Sequence, residues 1–345
     1  MPNLHDIERR IKSVESTKQV THTMQMVAAA KIRHATERCD AATPFANAMR
    51  ELLGNIGRMG SCNAELTKEH DEIKTTLIVA IVSDRGLAGG FNSNILRRAE
   101  KIMKDRKAEG KNVAIIACGM KAIAYFKYRE HDPVLAFRDL SADPRVEEAE
   151  TMTDYCVENY LNGNIDEVIT IYNHAKNAAE QVPTIHRILP VDLKSFVPEG
   201  ERFQFGGIME PDADLDDLPG SIEYEPGEEE VLNQLLPEYL SGYFYYVLIE
   251  SAAAEQAARR NAMKNATDNA DEMIETLNRV YNRVRQGAIS TKSLVAPQLW
   301  RTKWLKKLLH LRPTRVVRSV ILSVSLALLS TLSLLRARSP QSTTH

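Results

Sequence analysis

The sequence predicts a mixed α/β fold, in which a small Rossmann-like α/β domain is inserted between two long helices that pair as an antiparallel coiled coil. Three observations predict it. The N-terminal region keeps a helical apolar period without a break, the middle alternates short apolar runs with charged helical stretches, and the C-terminal region returns to a helical period. Among 345 residues, 43% are hydrophobic and 26% charged, which is typical of a globular chain and excludes a disordered one.

Residues 1–56 predict the N-terminal helix of the coiled coil. Between Leu4 and Ile56 the only proline is Pro44, and no glycine precedes Gly54. A helix of about fifty residues is far longer than the usual globular helix, so it needs a partner to cover its apolar seam. The apolar positions that predict this seam are Leu4, Ile7, Ile11, Val14, Val20, Met24 and Val27.

Residues 75–195 predict the α/β domain. Its strands are predicted at four apolar runs, Thr76–Val82, Val113–Ala117, Glu167–Tyr172 and Ile188–Val191. A helical stretch, Asn94–Glu109, separates the first two runs, and this alternation favours a mainly parallel sheet. Residues 196–227 contain proline, glycine and many acids, with Arg202 as the only base from Glu199 to Glu230, and predict a solvated acidic loop.

Residues 228–289 predict the C-terminal helix of the coiled coil. Alanine is frequent from Ser251 to Ala270, and small side chains let two helices approach closely. The predicted apolar stripe consists of Val231, Leu235, Tyr239, Tyr246, Ile249, Ala253, Ala257, Met263, Ala266, Ala270, Met273, Leu277, Val280 and Val284.

A glycine-rich segment, Ser83–Asn94, follows the first predicted strand and is the strongest candidate for a ligand site. Backbone N–H groups at such a strand-to-helix turn can bind phosphate. The segment lacks the Gly-Lys-Ser/Thr ending of a P-loop and the G-x-G-x-x-G spacing, so a structural turn is favoured over a nucleotide-binding enzyme. The nine histidines and four cysteines are dispersed, and we predict no catalytic residue, cofactor or metal site.

Three blocks of sequence carry a resemblance to a known family. The opening IERRIKSVESTKQVTHTMQMVAAAKIR, the turn SDRGLAGGFNSN and the later ESAAAEQAARRNAMKNATDNADEMIETLNRVYNRVRQGAI resemble ATP synthase gamma subunits, in the same order and over about residues 1–289. Ala88 stands where many members carry cysteine.

The resemblance implies a non-catalytic central rotor stalk that couples rotation of a proton-driven membrane ring to conformational change in the catalytic beta subunits. The implied partners are the alpha, beta and epsilon subunits and the membrane c-ring, at the cytoplasmic face of the cell membrane and without nucleic acid. By the same resemblance, Met24, Met26 and Lys31 would lie where the stalk meets the beta subunits. Arg285 and Gln286 match the polar pair that members present to the catalytic ring.

Residues 290–345 depart from the family. They contain no acid and include an uncharged run, Ser319–Leu335, flanked by arginines. As written, that run is near the lower length limit of a membrane span, and a single-pass membrane coiled-coil protein is therefore an alternative.

A shift of the reading frame back by one base gives another account of these residues. Gln298–Lys307 can then be read as AALED, a stop and MAKE, and Ala327–Leu334 as GPVVDVEF. These strings resemble the end of a gamma chain followed by the start of a beta chain. We therefore interpret residues 290–345 as a divergent tail produced by a frameshift near Ser290.

Overall fold

The computed structural model describes residues 3–59, 64–140, 143–177, 180–196, 225 and 227–309. The chain divides into two compact units, one of Met1–Ile11 with Glu275–His345 and the other of Lys12–Ile274. The sheet and the helices that cover it belong to the second, larger unit. In the smaller unit, Ile7 is buried and Tyr281 donates a hydrogen bond of 2.7 Å to a carboxylate oxygen of Glu8.

The chain forms five helices and five strands within the described ranges. The helices are α1 (Leu4–Met59), α2 (Phe91–Ala108), α3 (Met120–Tyr128), α4 (Val146–Leu161) and α5 (Glu228–Leu309), and the strands are β1 (Thr75–Ile81), β2 (Asn112–Cys118), β3 (Leu135–Phe137), β4 (Glu167–Ala175) and β5 (Gln181–Leu189). The strand order is β3-β2-β1-β4-β5. Strands β1 to β4 pair in parallel, and β5 is antiparallel to β4. The predicted mixed α/β class is confirmed.

Both faces of the central strand β1 are buried, which explains its unbroken apolar sequence. Leu77 and Val79 belong to a core shared with α4, α5 and the end of α1. Ile78 and Ala80 belong to a second core that α2 and α3 cover on the opposite face. The α/β domain is therefore a three-layer structure, with α5 as part of one outer layer.

Several elements differ from the predictions. The structure adds β3, α3 and α4, and the predicted strand Ile188–Val191 overlaps only the end of β5, which begins at Gln181. Because β5 is an edge strand whose side chains alternate in burial along most of its length, a continuous apolar run appears only where it ends. Helix α5 also continues through Gly287 and ends at Leu309. A Cβ atom on Gly287 would meet nothing within 4 Å.

From Tyr243 to Ala258 every residue of α5 except Tyr245 is buried, so its predicted single apolar stripe was too narrow. The side chains that join the core beyond that stripe are Leu232, Leu236, Leu240, Tyr243, Phe244, Val247 and Leu248. The predicted stripe position Met273 is instead 54% exposed. Between Tyr243 and Ala258 the helical period did not identify the buried residues, because a helix covered on several sides no longer has a polar face.

Close backbone contact fixes the end of α1 against a 3-10 turn, Leu193–Phe196. A Cβ atom on Gly57 would lie 2.9 Å from the Leu193 carbonyl oxygen, and one on Gly54 would lie 3.0 Å from that of Phe196. Backbone atoms move less readily than side-chain ends, so glycine is required for this approach.

We expect Gly57→Ala to lower the free energy of unfolding by about 1–3 kcal/mol, because the added methyl group overlaps a backbone carbonyl. The matched control is Gly287→Ala, which should raise it by about 0.5–1 kcal/mol, since it adds helix propensity in open space. Urea denaturation followed by circular dichroism measures both values. Equal shifts for the two variants would contradict the packing described here.

Candidate functional site

The predicted contact residues Met24, Met26 and Lys31 lie on the exposed surface of α1. Met24 is 39% and Met26 54% exposed, and Lys31 is also exposed. Their neighbours Val20 and Val27 are exposed by about half. The sequence prediction that Val20, Met24 and Val27 continue the buried seam of α1 was therefore wrong.

The positions of α1 that face α5 in this region are small or polar. Lys18 Nζ lies 2.5 Å from Asp271 Oδ1, and the hydroxyl groups of Thr21 and Thr267 are 2.8 Å apart. Ala28 is buried at 1% exposure. Small side chains allow the close approach of the two helices, so hydrophobicity identified the wrong face of α1 here.

The exposed apolar side chains of α1 form one wall of an open groove of about 690 Å³. Val20, Met24 and Val27 line it from α1, and Leu87 lines it from the glycine-rich turn. Lys31 and Arg85 add positive charge to its lining, and the charge of a third lining cation, Arg259, is balanced by the buried carboxylate of Glu255. We call this feature the α1–turn groove. Its apolar lining with neighbouring positive charge suits a partner segment that is apolar and acidic.

Leu87 is held in an unusual backbone conformation. Its φ angle is 66°, in the left-handed region that non-glycine residues rarely adopt, and its side chain is 64% exposed. The next residue, Ala88, is buried in a cluster with Phe91, Ala254 and Ala258. Backbone strain with an exposed apolar side chain is typical of a functional surface, and the sequence analysis assigned Leu87 no role.

Helix α5 anchors the turn that carries Leu87. Arg259 donates a hydrogen bond of 3.3 Å to the Gly86 carbonyl oxygen and pairs with the buried carboxylate of Glu255 at 2.5 Å. The ion pair fixes the guanidinium group, which in turn fixes the turn backbone. Leu87 is thus presented to solvent by contacts on both sides of it.

Side chains near both ends of the glycine-rich turn hold it to neighbouring elements. Asp84 Oδ1 accepts from the backbone N–H groups of Met120 (2.9 Å) and Asp139 (3.0 Å). Ser83 donates from both its N–H and its hydroxyl to Asn92 Oδ1, each at 2.9 Å. These contacts favour the structural turn over the nucleotide-binding alternative, because Asp84 and Ser83 tie the turn to the start of α3, to the segment after β3 and to α2.

In the part of the chain that the structure describes, no three His, Cys, Asp or Glu side chains are grouped to hold a metal ion. Cys118 and Cys156 are free and buried, and burial raises the pKa of the Cys156 thiol to about 12. That thiol is therefore protonated and unreactive at neutral pH.

Arg285 and Gln286 belong to the smaller unit. Both are exposed on α5, close in sequence to Tyr281, which contacts Glu8. Their predicted contact with the catalytic ring stays a prediction.

Comparison with known proteins gives a consistent result. The family model described as ATP synthase matches residues 3–295. The ATP synthase gamma chain of Gloeothece citriformis is 36% identical over 85% of this chain and 97% of the relative, and that of Paracoccus denitrificans is 38% identical over 86% and 97%. A central stalk/c-ring structure of Tetrahymena thermophila mitochondrial ATP synthase covers 72% of this chain and 99% of its own, with 25% identity and a TM-score of 0.50.

We expect Asp84→Ala to lower the free energy of unfolding by about 1–2 kcal/mol, because two backbone N–H groups lose their acceptor. Asp84→Asn is the matched control: it keeps the Oδ1 acceptor and should cost less than half as much. Urea denaturation of the three proteins measures the difference. Equal destabilisation by both variants would mean that the charge of Asp84, and not its two accepted hydrogen bonds, stabilises the turn.

Proposed function

The chain belongs to the ATP synthase family, among its gamma chains, and from this membership we propose that it is the central stalk subunit of a proton-translocating rotary ATP synthase. The observation that carries the proposal is the match over residues 3–295, in which this chain spans nearly the whole length of gamma chains at more than a third identity. In this role the chain couples rotation of the membrane c-ring to conformational change in the beta subunits. Its contacts favour different beta conformations at different angles.

An antiparallel coiled coil of α1 and α5 would give the stalk its torsional stiffness. In the larger unit, Lys18 pairs with Asp271, Thr21 with Thr267, and Thr43 with Tyr246, so the partner's number falls as the number on α1 rises. The less exposed positions of α1 recur every three or four residues, the heptad spacing of coiled coils. From residue 14 these positions are Val14, Lys18, Thr21, Gln25, Ala28, Ile32 and Ala35, and on α5 they are Met263, Thr267, Ala270 and Ile274.

We propose the α1–turn groove as a contact with the catalytic ring. Met24 and Lys31 line it, Met26 lies on the same exposed part of α1, and Leu87 adds an apolar side chain from the turn. Arg285 and Gln286 would form a second contact, which rests on the resemblance and on their exposure.

In this proposal the chain is not itself an enzyme, because ATP is bound and cleaved in the partner subunits. It would lie at the cytoplasmic face of the cell membrane, held there through the epsilon subunit and the c-ring. None of the helices in the described ranges contains a stretch apolar enough to cross a membrane. The run Ser319–Leu335, on which the membrane-protein alternative depends, lies outside those ranges.

The division into N-terminal helix, α/β domain, acidic loop, C-terminal helix and tail is part of the same proposal. The acidic loop lies almost entirely outside the described residues. For the tail, the family match ends at residue 295 while relatives are already covered to 97% of their length. This supports a tail foreign to the family, as a frameshift near Ser290 would produce.

Sequencing the source DNA from codon 280 to beyond codon 345 tests the frameshift. We expect the frame shifted back by one base to contain a stop opposite Lys303, a start immediately after it and an open beta-like frame beyond. A closed frame there would contradict the frameshift and leave the tail as part of the native chain.

The stalk function is tested by assembly. The alpha and beta subunits of another ATP synthase would be co-expressed with this chain in place of their own gamma chain. This chain should then co-purify with them in one complex and restore ATP hydrolysis. A chain ended after Val295 should assemble at least as well, because the family match ends there. Tight ATP binding by the isolated chain, without assembly, would instead favour the nucleotide-binding alternative.

Leu87→Gly separates stability from partner binding. Glycine adopts the positive φ angle without strain, so we expect the free energy of unfolding of the chain to rise by about 1 kcal/mol. Loss of the side chain should at the same time weaken binding to the alpha–beta complex by about tenfold, as expected for an apolar contact of roughly 1–2 kcal/mol. Unfolding in urea and surface plasmon resonance measure the two effects.

The control for this experiment is Tyr128→Ser, which removes an apolar side chain that is 85% exposed on α3, outside the groove. It should leave binding unchanged. If Leu87→Gly binds as tightly as the wild type, the α1–turn groove is not a contact surface.

A further inference from the structure

A buried ion pair joins α5 to the end of β4. Glu250 on α5 is 4% exposed, and its carboxylate accepts a short hydrogen bond from His174 Nδ1. The His174 side chain is about a quarter exposed. Among the described residues, His174 is the one cation that the structure pairs with Glu250. A buried carboxylate depends strongly on such a partner, because water no longer solvates its charge.

The other titratable groups around Glu250 stay neutral at ordinary pH. Cys39 faces it from α1, and burial together with the Glu250 charge raises the pKa of that thiol to about 12. Three phenols also lie near Glu250, those of Tyr172 on β4 and of Tyr243 and Tyr246 on α5. Burial, together with the Glu250 charge, raises the pKa of each above its usual value.

The further charged groups are Asp40 on α1 and the pair of Lys176 and Glu180, which follows β4. Asp40 on α1 acts on Cys39 and Tyr246 and adds a second negative charge. Beyond the end of β4, Lys176 is paired with Glu180. Among these groups, His174 is the one that gains or loses a proton near neutral pH.

A second polar contact holds the same face of α5 on the sheet. Thr170 Oγ1 donates to the His186 carbonyl oxygen at 3.1 Å, so it accepts from Tyr243 Oη, which lies 2.7 Å away. Tyr243 Oη in turn lies 3.0 Å from His186 Nδ1. Burial lowers the pKa of His186, so this imidazole stays neutral even somewhat below the usual pKa of histidine, and at neutral and alkaline pH the network carries no charge.

The two contacts are spaced so that they fix one helix on one strand. Tyr243 and Glu250 are two helical turns apart on α5, which places them on the same face. Thr170 and His174 are four residues apart on β4 and therefore also share a face. Together the contacts determine the rotation and the position of α5 along β4.

We propose that His174 and Glu250 form a pH-sensitive clasp between α5 and β4, and that the Tyr243 network is its pH-insensitive counterpart. Protonated His174 balances the buried carboxylate. When His174 loses its proton, the hydrogen bond can persist but the charge of Glu250 is no longer compensated, and this part of α5 opens more often. The inference concerns the chain alone and holds whether or not the proposed function is correct.

The sign of the pH effect follows from the direction of the shift. The hydrogen bond to Glu250 raises the pKa of His174 above 6.5. Protonated His174 therefore stabilises the folded chain fully below pH 6.5, and this contribution is lost as the pH rises through the higher pKa of the folded state. The protection of backbone amides near Glu250 and His174 against hydrogen exchange should therefore fall from neutral to alkaline pH.

Amide hydrogen exchange of the full chain, followed by mass spectrometry from about pH 6 to about pH 9, tests the clasp. After correction for the intrinsic pH dependence of exchange, we expect opening of peptides that cover Glu250 and His174 to increase by roughly three- to tenfold over this range. In His174→Gln, which keeps a hydrogen-bond donor but carries no charge, the opening should not depend on pH. The matched control His131→Gln, at the end of α3, should retain the wild-type profile.

Glu250→Gln provides a second test, because it removes the buried charge and keeps an acceptor. It should also abolish the pH dependence, and if it does not fold, His174→Gln decides the question. A flat wild-type profile, or a wild-type profile in His174→Gln, would overturn the proposal. Because no partner subunit is present, failure here is distinct from failure of assembly.

Discussion

The burial of α5 on every side from Tyr243 to Ala258 is the constraint on which the larger unit depends. The sheet and α4 share one core with this helix, while α1 and the glycine-rich turn pack against other faces of it. Most polar side chains of a helix in this position are removed from water, so they need partners within the protein. Glu250 with His174 and Tyr243 with Thr170 are therefore conditions for this packing as well as contacts within it.

Much of the fold could be predicted because some elements carry strong local signals. The run that became β1 is buried on both faces, most of the run that became β2 is buried, and the first helix has no glycine or proline before Pro44, through which it continues. Strand β3 could not be predicted, because three residues carry no period. For α5, burial on several sides removed the amphipathic pattern that sequence reading depends on.

The proposed contact site rests on the resemblance and not on the residue pattern, and it stays a prediction. Hydrophobicity placed Val20, Met24 and Val27 in the helix seam, whereas the seam uses Lys18, Thr21 and Ala28. The exposure of Leu87, on which its proposed role depends, goes with a positive φ angle and with anchoring of its turn by Arg259. Neither is visible in a single sequence, because both arise from residues far apart in the chain.

The most direct test of the account is rotation in an assembled complex. With alpha and beta subunits fixed to a surface, a bead would be tethered to the α/β domain through Lys107→Cys, an exposed position near the end of α2. The account predicts that the bead turns continuously in one sense while ATP is hydrolysed. Hydrolysis with only random, undirected motion of the bead would contradict a stalk that couples rotation to the catalytic sites.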